Sequence, residues 1–551
     1  MDKILRYETS LLFCIACLVY LPSLRSDFLF DDVHLVLQNP MVCQGDIDTY
    51  KIFQSDYWAE VKEDKSAYRP LTILLHATIC HLAGTNPFTH HLVNVVLHAT
   101  CTLLVLFFLR RLFANRTQPF LGALLFAIHP TYSEAVIMVS NRSEIVQTCA
   151  CLVVLMLAER FVFSPHHPSR IYSLAKHALI VLGLMVVQAI GVFSKENASV
   201  TPILVASFLI VKLTQGKMTS LHRVRAILAV AFVAIVVLFY IFIRLEVLGN
   251  LVRVQAFSFL DNPLASQEMC VRLCSAVSVL GRYILMFFLP LGISGDYSFA
   301  QIIPTDSFLD PGFLIGSLLL LVLAGIGTLC LKKRPLTSFG IVWFFVSIFP
   351  VSNIPFPIGT VMALRLCYLP YIGLIIATCE GVMAVWPRMT PMLKLLSKGI
   401  FVGFVVFFAT TAFDYASVLR TNCDFFRETA RRSPHSAKAL YGFGVCALQE
   451  DDLGRAIVAF DQALRIYPDY TDAVIQLAQA LEAAGRLEDA VGHLNNFIAR
   501  HPDDIKSRLA LGKLFARNKR FSEARTVFQE ILKAHPEHPD AREYLQRLDG
   551  M

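Results

Sequence analysis

Twelve apolar stretches divide the first 414 residues, at 8–24, 92–109, 118–138, 145–164, 173–193, 198–214, 224–247, 273–293, 312–331, 338–352, 366–386 and 399–413. Roughly 20 apolar residues in a helix cover the hydrocarbon core of a bilayer. In lipid the backbone must satisfy its own hydrogen bonds, so such runs fold as helices. Composition agrees: 55% of residues are hydrophobic and 17% charged, where a soluble chain carries about 25% charged. A disordered, collagenous or small disulfide-stapled protein is excluded. The net charge of +7 is first explained by cytoplasmic loops, not by nucleic acid. Cys14, Cys17, Cys101, Cys149, Cys151, Cys330, Cys367 and Cys379 lie in the most apolar runs and read as small packing residues.

Basic residues set the orientation, because cytoplasmic loops collect Lys and Arg. Lys3 and Arg6, then Arg110, Arg111 and Arg116, then Arg160, Arg170 and Lys176, then Lys212, Arg223 and Arg225 fall on one side if each of the first seven runs crosses once. Lys332, Lys333, Arg334, Arg388, Lys394 and Lys398 belong on that side too. Between Glu246 outside and Lys332 inside an odd number of crossings is needed, yet two apolar runs are present. One of 224–247, 273–293 and 312–331 therefore fails to span, and 273–293, with Arg272 and Arg282, is the first expectation. About 11 crossings result, and the C-terminal third lies outside the cytosol. The first run reads as a retained span, since its exit carries Arg25 and aspartates, without a small-residue cleavage site.

Residues 1–415 thus form a membrane domain, 416–433 a linker and 434–551 a soluble helical domain. Pro468, Pro502 and Pro536 recur every 34 residues; Ala456, Ala490 and Ala524 share one register, and Gly444, Ala478 and Gly512 another. This is the tetratricopeptide period. Small residues let paired helices approach, large ones fill the gap, and proline ends the second helix. Three repeats are expected near 437–470, 471–504 and 505–538, an α-solenoid whose concave face suits a polypeptide.

The polar residues of the membrane part gather outside it. Asp31 and Asp32 follow the first run; Glu134, then Arg142 and Glu144, then Lys195 and Glu196 fall on the same non-cytoplasmic side. Ionisable groups at membrane depth are costly and usually functional. The structural alternative is that each caps a helix or pairs with a neighbour. The sequons at Asn115, Asn141 and Asn197 are expected to carry no glycan, one being cytoplasmic and two lying within this polar region.

The ordered motifs FLFDD (28–32), QNP (38–40), YRPL (68–71), HLVNVVLHA (91–99), LLFAIHPTYSEAV (124–136), NRSE (141–144), SKEN (194–197), DNP (261–263), GDYS (295–298) and RLCYLP (365–370) resemble the transmembrane and tetratricopeptide repeat-containing O-mannosyltransferases. That family belongs to the GT-C class of polyprenyl-phosphate-sugar glycosyltransferases. The resemblance implies an all-α, GT-C-like polytopic domain joined to tetratricopeptide repeats. It also implies transfer of a sugar, mannose by analogy, from a dolichyl-type phosphate to Ser or Thr hydroxyls of proteins. The membrane would be that of the endoplasmic reticulum in a eukaryote or the inner membrane in a bacterium, with the repeats lumenal or periplasmic.

A hydroxyl is a poor nucleophile and needs a carboxylate to take its proton. Asp31 and Asp32 suit that role, and the resemblance favours Asp31. The departing phosphate gains charge, which fixed cations stabilise. Arg365 is the first choice because a guanidinium grips phosphate by two bonds, with Arg142 and Lys195 behind it. Glu134, Glu144, Glu196, His129 and Tyr368 support the polar site. No cofactor or metal is required, although Asp31, Asp32 and Glu134 form an alternative set for a divalent cation. Other readings are transfer of another sugar or oligosaccharide, and a non-catalytic membrane adaptor displaying repeats to a protein partner. No nucleotide-binding fingerprint is present, so the donor is expected to be lipid-linked.

Overall fold

The computed structural model describes residues 3–58, 67–164, 170–215, 219–250 and 257–550, and its regular elements are all helical. The chain forms two compact units, one of residues 1–295 and 304–425, the other of 296–303 and 426–551.

Among the described residues of the first unit ten helices are long and apolar enough to cross a membrane: Leu5–Arg25, Pro87–Leu112, Val139–Val162, Ile171–Ser194, Glu196–Thr214, Ser220–Leu248, Met269–Phe288, Pro311–Cys330, Pro370–Arg388 and Pro391–Val418. An eleventh is counted if Thr117–Ile128 and Pro130–Ile137 are one span, bent by 48°. The bend falls where Pro130 removes a backbone donor and its ring clashes with the preceding turn. The 338–352 run, expected as a full span, is the shorter helix Pro335–Ile348 with a turn at Phe349–Val351. Pro335 sets its start and Pro350 lies in that closing turn.

The three runs among which one was expected to fail are all long helices, so length and hydropathy do not single one out. Ser275 Oγ accepts the backbone N–H of Thr305 at 2.7 Å, so the chain returns to the depth of Ser275 before Pro311–Cys330 begins. Gly312 lies against Ser278, and Gly316 against Val277 and Gly281; an added Cβ at Gly281 would sit 2.5 Å from the Gly316 Cα. These close approaches pack the two helices against each other at glycine and serine positions.

The loop after the first helix meets the exit of the last apolar helix. Ser26 Oγ donates to the Leu419 carbonyl at 2.5 Å, and Asp27 N–H donates to the Arg420 carbonyl at 2.7 Å. A disulfide joins Cys43 to Cys80, with Cα atoms 5.6 Å apart, and pins the loop that follows FLFDD to the helix Pro70–Ala83. Neither cysteine lies in the apolar runs where sequence placed the packing cysteines.

The second unit is built of helix pairs Ala437–Gln449 and Leu453–Ile466, Thr471–Ala483 and Leu487–Arg500, Ile505–Arg517 and Phe521–Ala534, followed by Pro539–Asp549. Ala456, Ala490 and Ala524 are fully buried. An added Cβ on Gly444 or Gly512 would lie 2.6 Å from the ring of Phe460 or Phe528, which is why the position stays small. Residues 296–303 are part of this unit. Asp296 Oδ2 accepts from the hydroxyls of Ser298 and Ser436 at 2.5 and 2.6 Å, and Ala437 N–H donates to the Phe299 carbonyl at 2.9 Å. The GDYS motif therefore braces the first repeat helix.

Candidate functional site

The site is built at loop level, where chain breaks in the apolar helices leave polar groups. Asp32, expected beside Asp31 as a second catalytic carboxylate, is instead wholly buried. Its oxygens accept the backbone N–H groups of Leu29 at 3.2 Å, Val139 at 3.0 Å and Ser140 at 2.7 Å. Burial pushes its carboxyl up to about 6, against the pull of those donors. Asp32 thus fastens the FLFDD loop to the segment between the bent pair and the next helix. His91 fastens the other end, its Nε2–H donating to the Asp27 carbonyl at 3.1 Å. Asp31, between these anchors, is half-buried.

Arg365 lies within electrostatic reach of Asp31. Its backbone N–H donates to Glu134 Oε2 at 3.0 Å, and its guanidinium Nη1 donates to Glu134 Oε1. Burial works against the cation, but Glu134, then Asp31 and Glu144, outweigh it and hold the pKa above its ordinary value. The side chain of Arg365 keeps 25% exposure, while that of Glu134 keeps 4%. Glu134 sits in the first turn of the short helix Ser133–Ile137, where a carboxylate is favoured by the helix dipole.

Two further ion pairs flank this one. Lys195 Nζ meets Glu144 Oε1 at 2.6 Å, both deeply buried, and Gln147 donates to the other Glu144 oxygen at 2.6 Å. Glu196 receives two bonds from Arg69, at 2.9 and 2.5 Å. Arg69 also stacks over the Tyr57 ring at 5.1 Å. Lys195 lies within reach of Arg69, Glu196 and Arg365, so the three pairs form one polar cluster. Sequence singled out the YRPL motif but gave Arg69 no part; only the contact with Glu196 reveals one.

Arg142, expected at the donor phosphate, is fully buried. Its Nε donates to Asn94 Oδ1 at 2.7 Å, Nη1 to His76 Nδ1 at 3.0 Å and Nη2 to the His90 carbonyl at 2.8 Å. All three nitrogens already serve the protein, so it knits helices together beneath the loop. His129 and Tyr368 are likewise interior. His129 Nε2–H donates to the Phe287 carbonyl at 3.0 Å, and Nδ1 receives the Thr131 hydroxyl at 2.8 Å. The Tyr368 hydroxyl donates to His98 Nδ1 at 2.7 Å. Sequons Asn141 and Asn197 are buried, and Asn115 is exposed.

The alternative cation set does not fit. Asp32 is taken up by backbone donors and Glu134 by Arg365, and the described residues bring no three carboxylate, histidine or cysteine ligands together. What the arrangement offers is one half-buried carboxylate within electrostatic reach of a guanidinium held by Glu134, with two further ion pairs close by.

Comparison with known proteins follows both units. A tetratricopeptide repeat family model matches residues 425–471 and 475–547. The mouse protein O-mannosyl-transferase TMTC1 is 23% identical over 84% of this chain and 58% of that protein. The mouse protein O-mannosyl-transferase TMTC3 is 23% identical over 98% of this chain and 61% of that protein. The human protein O-mannosyl-transferase TMTC1 reaches 39% identity over 26% of this chain and 16% of that protein. The chain spans about three fifths of the length of the two mouse relatives. Over most of its length the chain is similar to these protein O-mannosyl-transferases, and its C-terminal part to tetratricopeptide repeats.

Proposed function

We propose that the chain transfers mannose from a polyprenyl phosphate to Ser or Thr hydroxyls of polypeptides on the non-cytoplasmic side of a membrane. The observation that carries this is the half-buried Asp31 within electrostatic reach of Arg365, whose guanidinium and backbone N–H Glu134 holds. Asp31 takes the proton of the acceptor hydroxyl as its oxygen bonds to the sugar C1. The C1–O bond to phosphate breaks, and the electron pair leaves with the phosphate, whose added charge Arg365 stabilises. Asp32 acts through the loop it holds, and Arg142 through the helices it joins. Lys195 and Glu144, with Arg69 and Glu196, keep the cluster polar and fixed.

The side of the membrane is supported by the basic loops and by the Cys43–Cys80 disulfide beside the FLFDD loop, since disulfides persist in oxidising compartments. The bonds from Ser26 and Asp27 to residues 419–420 support an exit of the last helix on that same side, which makes the repeats lumenal or periplasmic. There a groove of ≈ 230 Å³, lined by Ile475, Leu509, Lys506, Lys513 and Arg517 among others, suits a polypeptide.

The test is purified full-length protein with polyprenyl-phosphate mannose and Ser/Thr peptides, product being read by mass. Asp31→Asn is expected to lower transfer by roughly 100-fold or more with unchanged melting temperature. An Asp31→Asn protein of full activity sinks the assignment. Protease added to sealed microsomes from the cytosolic face should spare the repeats.

A further inference from the structure

The residue before Asp31 is held in a conformation that its type resists. Phe30 has φ +47°, in the left-handed region that bulky L-residues rarely occupy without support from their surroundings. The support comes from 392 residues away. Phe30 N–H donates to Asn422 Oδ1 at 2.8 Å, and the Phe30 ring stacks on that of Phe425, centroids 5.6 Å apart and planes 18° from parallel. Phe425 is buried. The neighbouring bond from Asp27 N–H to the Arg420 carbonyl completes a brace of three contacts. From the inner side Asp32 and His91 hold the same loop, through Val139, Ser140 and the Asp27 carbonyl. Asp31 is thus presented by a loop pinned on both faces, and the outer pin is the first turn of the helix Asn422–Arg432.

We propose that Asn422 and Phe425 are positioning residues for the catalytic carboxylate, acting through the backbone of Phe30. This rests on the reading of Asp31 as the base. A backbone N–H at a strained position needs an acceptor in one place, and a 1 Å error at a general base is expensive in rate. Neither residue touches the reacting atoms. Loss of the brace lets Phe30 relax toward negative φ, which turns the next peptide and moves Asp31.

The test uses full-length protein in detergent micelles or nanodiscs, with two independent readouts. Asn422→Ala removes the acceptor; Asn422→Asp keeps it. In Asn422→Ala, amide hydrogen exchange of the peptide covering residues 26–33 should accelerate by about tenfold, because the braced N–H groups lose protection. Transfer to a short soluble peptide should lose about tenfold in kcat, with the donor KM within about twofold. Asn422→Asp should restore both towards wild type, and Phe425→Ala should follow Asn422→Ala. Wild-type exchange and kcat in Asn422→Ala overturn the proposal. So does an Asp variant as impaired as the Ala variant, or a donor KM that rises as much as kcat falls. If the wild-type protein transfers no sugar, the functional reading fails, and the exchange arm alone still decides whether Asn422 holds the loop.

Discussion

Charge is used in opposite ways by the two units. In the repeats, ion pairs such as Arg455–Asp452 and Arg486–Asp489 are wet: each is three residues apart, and their side chains keep between 33% and 59% exposure. In the membrane unit, Lys195–Glu144, Arg69–Glu196 and Arg365–Glu134 join residues 51, 127 and 231 positions apart. Lys195 and Glu144 keep only 6% and 1% exposure. Exposed pairs are screened and are worth about 0.2–1 kcal/mol. Removing one partner of a buried pair leaves an uncompensated charge and costs ~3–5 kcal/mol. The repeats therefore stand on packing of small residues against large ones, and the membrane unit's polar end stands on mutual neutralisation.

The largest expected effect breaks one buried pair. Lys195→Met alone should destabilise the protein by ~3–5 kcal/mol, and Lys195→Met with Glu144→Gln should recover most of it. Thermal melts of the single and double variants check this; equal losses in both would mean that the pair is not the unit of stability. Next comes the buried carboxylate. The Asp32 pKa of about 6 lies above the ordinary value of 3.8. Its contribution to stability is therefore greatest below pH 4 and is lost as the pH rises through 6. The fall is about 3 kcal/mol, and Asp32→Asn should remove it from melts recorded between pH 4 and 7. In the repeats, Gly512→Leu drives a side chain into Phe528 and should cost ~1–3 kcal/mol, read as a drop in the helical melt while donor KM stays unchanged. Smallest of all, Arg455→Ala should stay within about 0.5 kcal/mol of wild type; a larger loss would show that surface pairs carry the repeats after all.

These differences explain what could be read in advance. The repeats follow a 34-residue register, and each position answers to its nearest neighbours, so Gly444 and Gly512 announce the rings they face. Apolar runs announce helices for the same reason. Hydropathy says that Met269–Phe288 prefers an apolar setting; that its chain then turns back to Ser275 is a matter of contacts with Thr305 and Gly316. The motifs mark a polar neighbourhood, but two adjacent aspartates look alike in sequence. Asp32 alone meets the N–H groups of Val139 and Ser140, which are more than a hundred residues distant.

The sequence by itself determined the all-helical build, the register of the repeats and the gathering of ionisable residues at breaks between apolar runs. Each of these follows from local periodicity and from the cost of placing charge in lipid. Tertiary structure alone decided which cation answers which carboxylate, which of the two aspartates is buried as an anchor, where Cys43 finds Cys80, and how a strained Phe30 is held by Asn422. The reason is distance along the chain: a partner 37 to 392 residues away leaves no mark in local pattern, because any of several like residues satisfies the same pattern until packing brings one of them into contact.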